Sequence, residues 1–123
     1  MELSHVGIWV RDMQETDDFL RSILGLREGS SYQVGEDLMK AIFGTKTACE
    51  VRAYELEDGR VEVFQAPKGI LPGINHFAIS VLNKGKFCEQ AAKKGARIVK
   101  VWRKDHPVYF LKDPSDILIE VRE

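Results

Sequence analysis

Two histidines and two glutamates stand at matched places in this 123-residue chain, and together they make a set of donors suited to a divalent metal. Leu3-Ser4-His5-Val6-Gly7-Ile8-Trp9-Val10 and Ile74-Asn75-His76-Phe77-Ala78-Ile79-Ser80-Val81 share one order: apolar, small polar, His, then an apolar run closing on Val. Each half ends on a second echo, Val61-Glu62-Val63 and Ile119-Glu120-Val121, with Asp58 and Asp116 four residues before the Glu. A duplicated unit related by a pseudo-twofold axis can aim all four side chains at one centre. Two imidazoles and two carboxylates suit Zn, Ni, Co, Fe or Mn, and the donor types alone do not choose among them. Four protein ligands leave room for substrate oxygens on a five- or six-coordinate ion, which is a catalytic arrangement.

Strand phase gives the same direction to all four. Along 3–10, Val6, Ile8 and Val10 alternate with Leu3, His5, Gly7 and Trp9; Phe77, Ile79 and Val81 alternate with His76, Ala78 and Ser80. The uniformly apolar face belongs under a helix, so the mixed face with the histidines is the concave one. Glu62 and Glu120, each between two apolar residues, point to that side as well. Gln65 is a rival to Glu62, because one extra residue in the strand would shift the register.

The elements that position these residues read as β-α-β-β-β, twice. Asp12 with Glu15 predicts a capped helix in which Phe19, Leu20, Ile23 and Leu24 recur at helical spacing, ended by Gly25. In the second half Asn83 is the N-cap, Phe87, Ala91 and Ala92 form the stripe, and Gly95 ends it. Strands are expected at 32–34, 38–43, 49–55 and 60–66, then at 97–102, 108–111 and 117–122. Pro67 to Gly73 reads as a linker, giving modules 1–66 and 74–123 within a single domain. His5 and Glu62 are 57 residues apart but His76 and Glu120 only 44, so the first module carries 13 more, expected as a hairpin or mobile loop between Arg27 and Asp58.

The pattern resembles the vicinal oxygen chelate superfamily, which holds glyoxalase I, methylmalonyl-CoA epimerase, fosfomycin-resistance proteins, extradiol dioxygenases and bleomycin-binding proteins. The resemblance rests on the H-V-G-I-x-V start, the F-L-x-x-x-L-G-L helix exit and the D-P-x-x-x-x-I-E-V end, and covers nearly the whole chain. It implies an α+β fold of two βαβββ modules forming an open barrel-like cup, with His5, Glu62, His76 and Glu120 on the metal positions. Length and spacing look most like small bacterial glyoxalase I, a lactoylglutathione lyase that moves a proton through a metal-stabilised enediolate. Glu120 would be the base, with Glu62 its counterpart. A methylmalonyl-CoA epimerase-like isomerase and a metal-free binder of the bleomycin-resistance kind are the alternatives. The epimerase's second acid would fall near Lys40, which disfavours that substrate.

Trp9, Phe64, Trp102 and Tyr109 are candidates for an aromatic substrate-binding wall, and Arg60 and Arg122, on the strand faces of the two glutamates, for pairing with an anionic tail. Composition bounds the partners. A formal net charge of −1 offers no footprint for nucleic acid. No apolar run approaches the roughly 20 residues that span a bilayer. Cys49 and Cys88 lack a C-x-x-C partner and no leader precedes the first strand, so a reduced, cytoplasmic setting is expected. A small-molecule substrate and, by resemblance, a homodimer complete the expectations.

Overall fold

Two strand ladders of one design carry the chain. The computed structural model describes residues 1–123. In order, it forms β1 (Glu2–Val10), α1 (Met13–Asp18) continued by a π-helical turn (Phe19–Ile23), β2 (Arg27–Val34), α2 (Glu36–Phe43), β3 (Cys49–Leu56) and β4 (Gly59–Gln65). Then come β5 (Gly73–Ser80), α3 (Lys84–Lys93), β6 (Arg97–Arg103), β7 (His106–Lys112) and β8 (Leu118–Arg122). Residues His5–Asn75 cluster as one compact unit, and His76–Glu123 with Met1–Ser4 as another.

In the first unit the strand order is β2-β3-β4-β1, and β1 runs parallel to β4 after the crossover. In the second it is β5-β8-β7-β6, with β5 parallel to β8. The helix starts follow the sequence. Asp12 is the N-cap of α1, its carboxylate accepting from the Glu15 N–H at 2.9 Å, and Asn83 does the same for α3 through Lys86 N–H at 2.9 Å. Gly25 and Gly95 take the positive φ that ends each helical segment.

Alternation sorts the first unit into two apolar layers. On the outer face Val10, Met13, Leu20, Tyr54 and Val63 pack under α1, with Ile8, Leu26 and Val61 against them. The inner face, the one that carries His5, holds Val34, Met39, Cys49, Val51 and Phe64, packed with Trp9, Tyr32, Leu38 and Phe43.

Three expectations need correction. Residues 38–43 are not a strand and the 13-residue excess is not a hairpin or mobile loop; both fall on α2, an amphipathic helix with Glu36 and Asp37 in its first turn and Gly44 as a left-handed C-cap at φ 74°. Met39 and Ile42 make its buried side, and the run of six residues is too short for periodicity to separate helix from strand. The stripe on α1 is also displaced. Only Leu20 of the four is buried, while Phe19, Ile23 and Leu24 are exposed. The π-helical turn inserts one residue per turn and rotates them outward, with Leu24 N–H bonding Phe19 C=O. Asp17 is buried beside this turn and accepts from the Tyr54 hydroxyl at 2.6 Å, with the Arg21 guanidinium 3.3 Å away.

Burial and then the Asp17 carboxylate push Tyr54 from 10.0 up to about 12, and burial pushes the Cys49 thiol from 9.0 to about 11. Both fold in their neutral forms, so the stability they carry is whole below their unfolded pKa values and is lost as pH rises through the folded ones. Thermal midpoints are therefore expected to hold up to about pH 9 and fall between about pH 9 and 12. Tyr54→Phe should lower the neutral-pH midpoint by removing the hydrogen bond to Asp17, and flatten the decline above pH 10. A decline of unchanged steepness in that variant would contradict the assignment.

Candidate metal centre

The same register places a His–Glu pair in each unit. In the first, Gly7 lies directly across from Glu62; in the second, Ala78 lies across from Glu120. Each is a small, buried residue two positions after the histidine, so the glutamate side chain beside it has room to lean toward the imidazole. His5 Nε2 comes within 2.8 Å of Glu62 Oε2, and His76 Nε2 within 3.4 Å of Glu120 Oε2. His5, Glu62 and His76 are at most 3% exposed, and the Glu120 side chain 15%. Buried carboxylates and imidazoles are costly unless their polar atoms are matched, so the pairing accounts for why these strands tolerate them.

Glu62 has two further partners, and the sequence pattern points to only one of them. The Tyr32 hydroxyl donates to its Oε1, and Arg60 donates to its Oε2 at 3.2 Å through Nη2. Arg60 shares the strand and face, two residues away; Tyr32 is on β2 and reaches the site only because β2 pairs with β3, Tyr32 facing Val51 across the ladder. Only the long-range pairing of β2 puts Tyr32 near Glu62. In the second unit the Arg122 guanidinium lies 3.5 Å from Glu120 Oε1, and the Phe110 ring meets the His76 ring edge-on at 5.6 Å.

Gln65 does other work. Its side chain accepts from Met13 N–H at 3.0 Å and donates to Arg11 C=O at 2.8 Å, tying the start of α1 to the end of β4. Three positions from Glu62, it projects to the opposite face of its strand. Two aspartates hold the turn before β8. Asp116 adopts φ 65°, a conformation Asp tolerates, and pairs with Arg97 at 2.7 Å, while Asp113 Oδ1 accepts from Ser115 and Ile117 N–H.

The four aromatic candidates part company. Trp9 and Phe64 share the His5 face but are engaged with Phe43 of α2 in an edge-to-face trio, with centroids 5.0–5.6 Å apart. Trp102 and Tyr109 were expected in the cup wall. Pairing of Tyr109 with Val121, and of Phe110 with Glu120, puts Tyr109 on the face opposite the His76–Glu120 pair; Trp102, across from Pro107, shares it. Both face Lys100, whose ammonium lies 5.4 and 5.6 Å from their rings. Lys40 stands exposed on α2 and not on a middle strand, so the comparison drawn at that position against an epimerase does not apply.

A family model described as the glyoxalase/bleomycin resistance protein/dioxygenase superfamily matches residues 4–110. No curated protein matches the sequence. Among solved structures, a hypothetical protein from Bacillus halodurans C-125 is similar at TM-score 0.71 and 20% identity, covering 98% of this chain and 91% of that one. Methylmalonyl-CoA epimerase from Mycobacterium tuberculosis is similar at TM-score 0.74 and 18% identity, covering 98% and 85%. The Streptomyces coelicolor methylmalonyl-CoA epimerase in complex with 2-nitronate-propionyl-CoA gives 0.75 and 17%, covering 98% and 92%. At these identities the likeness establishes the fold alone.

Removing the Tyr32 hydroxyl strips a donor from a buried carboxylate. Tyr32→Phe is expected to cost about 1–3 kcal/mol in urea unfolding. A change within error of zero would mean that this contact contributes nothing to holding Glu62.

Proposed function

Because the chain belongs to the glyoxalase/bleomycin resistance protein/dioxygenase superfamily, we propose that it is a metal-dependent lyase or isomerase that moves a proton beside a substrate carbonyl. The observation that carries the reading is the His–Glu pair repeated in equivalent register in both ladders, enclosed in the first and half-buried at Glu120 in the second. The donor set fits a divalent ion: in each unit an imidazole Nε2 and a carboxylate oxygen already stand side by side. His5, Glu62, His76 and Glu120 would be its ligands. The ion would supply Lewis-acid polarisation of the substrate carbonyl, making the neighbouring C–H acidic.

The chain's own groups divide the remaining work. Glu120, the more accessible carboxylate, takes the proton from carbon and returns it to the neighbouring carbon or to the opposite face of the same one. Glu62, engaged by Tyr32, His5 and Arg60, is held in place and serves to orient His5. Apolar packing of Trp9, Phe43 and Phe64 on the inner face keeps water from that part of the first ladder.

Two substrates follow from this proton transfer. The hemithioacetal of methylglyoxal and a thiol is the glyoxalase I-type substrate, and length and motif spacing favour it. A CoA thioester carrying an acidic α-proton is the second, favoured by the fold likeness to the epimerases.

Protein purified without added metal, then loaded with Zn, Ni, Co, Fe or Mn, is expected to bind close to one equivalent. His5→Ala and His76→Ala should each abolish it, as measured by elemental analysis. Turnover of methylglyoxal with a panel of thiols would identify the lyase; solvent deuterium entering the α-carbon of a 2-substituted CoA thioester would identify the isomerase. Glu120→Gln is expected to lower kcat by about 10²–10⁴ with metal content kept at half or more. Less than about a tenth of an equivalent after loading, with neither activity, would overturn the proposal.

A further inference from the structure

A cavity of about 230 Å³ opens beside Glu120, lined by Lys84, Arg103, His106, Arg122 and Glu123 as well. Its position follows from the ladder register. Arg103 pairs with His106 across the β6–β7 turn, and Phe110 pairs with Glu120. Counting by twos along each strand, Arg103, His106, Phe110, Glu120 and Arg122 all project from the face that carries His76. Arg122 is therefore two residues, roughly 6–7 Å of strand, beyond the carboxylate assigned as the base. Lys84 joins from the first turn of α3.

Three permanent cations and a histidine meet two carboxylates here. One of those carboxylates has a partner at the start of α3. Glu123 Oε1 lies 3.3 Å from the backbone N–H of Lys84, so an acidic side chain of the chain itself sits at the start of α3 within the cationic lining. The volume falls below the roughly 300–1,000 Å³ that takes a whole drug-sized ligand, so the cavity suits one anionic group and not an entire cosubstrate.

We propose that this cavity binds the anionic group, a carboxylate or a phosphate, of the substrate whose proton Glu120 moves, with Arg103, Arg122 and Lys84 as donors and Glu123 as the side chain it displaces. The guanidinium forks of Arg103 and Arg122 suit two-point binding of either oxyanion, and Lys84 adds a point charge. The substrate class is thus an anionic carbonyl compound with its charge a short spacer away from the acidic carbon. The role beside Glu120 rests on the proton-transfer reading; the anion site itself does not.

The test separates the two. Inorganic phosphate and acetate are titrated into the metal-free protein at constant ionic strength, followed by amide shifts of residues 84, 103, 106 and 122. Saturable shifts at those residues are expected, and Arg103→Gln and Lys84→Gln should each weaken binding by about tenfold, the loss of a charge-assisted hydrogen bond. Glu123→Gln should tighten it by removing the internal competitor. Lys93→Gln, at an exposed pair with Glu89, is the control and should leave it unchanged. The stronger of the two probes tells phosphate from carboxylate. In turnover, Arg103→Gln should raise KM for an anionic substrate about tenfold with kcat within about twofold, and leave a neutral analogue unaffected. Binding that persists in both cation variants, or shifts that do not saturate, would overturn the anion site. Saturable binding lost in the variants, in a protein without turnover on any substrate, would uphold the site and sink the catalytic reading alone.

Discussion

Burying a carboxylate next to an imidazole inside a strand ladder is the constraint around which each unit is arranged. A lone Glu at 3% exposure is among the least favourable residues a small core can hold. The ladders meet that cost in the same way twice: a parallel pairing that sets the Glu beside a residue without bulk, Gly7 or Ala78, so that its carboxylate can reach the imidazole two positions back. The rest of each unit then answers to those pairs. In the first, Arg60 and Tyr32 complete the matching of Glu62; in the second, Arg122 attends Glu120.

The two units differ where chemistry would make use of a difference. Glu62 is enclosed and held by hydroxyl, imidazole and guanidinium. Glu120 is more open and stands at the edge of a cation-lined cavity. Equivalent positions thus stand in different surroundings, one carboxylate held by three side chains and the other open to a cavity. The 13 extra residues of the first unit deepen this asymmetry, because α2 lays Met39 and Phe43 on the inner face and closes off part of it with Trp9 and Phe64. An aromatic residue on a strand face near a site becomes core as soon as a helix covers it, which is what separates Trp9 and Phe64 from a substrate wall.

Much of this was legible in one dimension because it is local. A period of two along β1 and β5 assigns faces; Asp12 and Asn83 announce helix starts; Gly25 and Gly95 announce their ends. The matched His and Glu, with the family resemblance they carry, identified the fold and the residues that pair within each unit. What was misread depended on neighbours distant in sequence. Residues 38–43 are apolar enough for a strand or a helix, and only packing against Val51 and Phe64 selects the helix. The α1 stripe looks regular, but the buried Asp17–Tyr54 bond accompanies a π-helical turn that rotates Phe19, Ile23 and Leu24 outward.

By itself, then, the sequence determined the repeated module, the faces of its strands and the matched His and Glu of each half, since alternation and duplication are properties of the chain read in order. Tertiary structure decided that Tyr32 and Arg60 attend Glu62, that Gln65 fastens α1 instead of facing the inner side, and that Trp102 and Tyr109 turn away from the His76–Glu120 pair. Each of those depends on which strand lies beside which and in what register. A shift of one residue reverses every face, and long-range pairing fixes that choice.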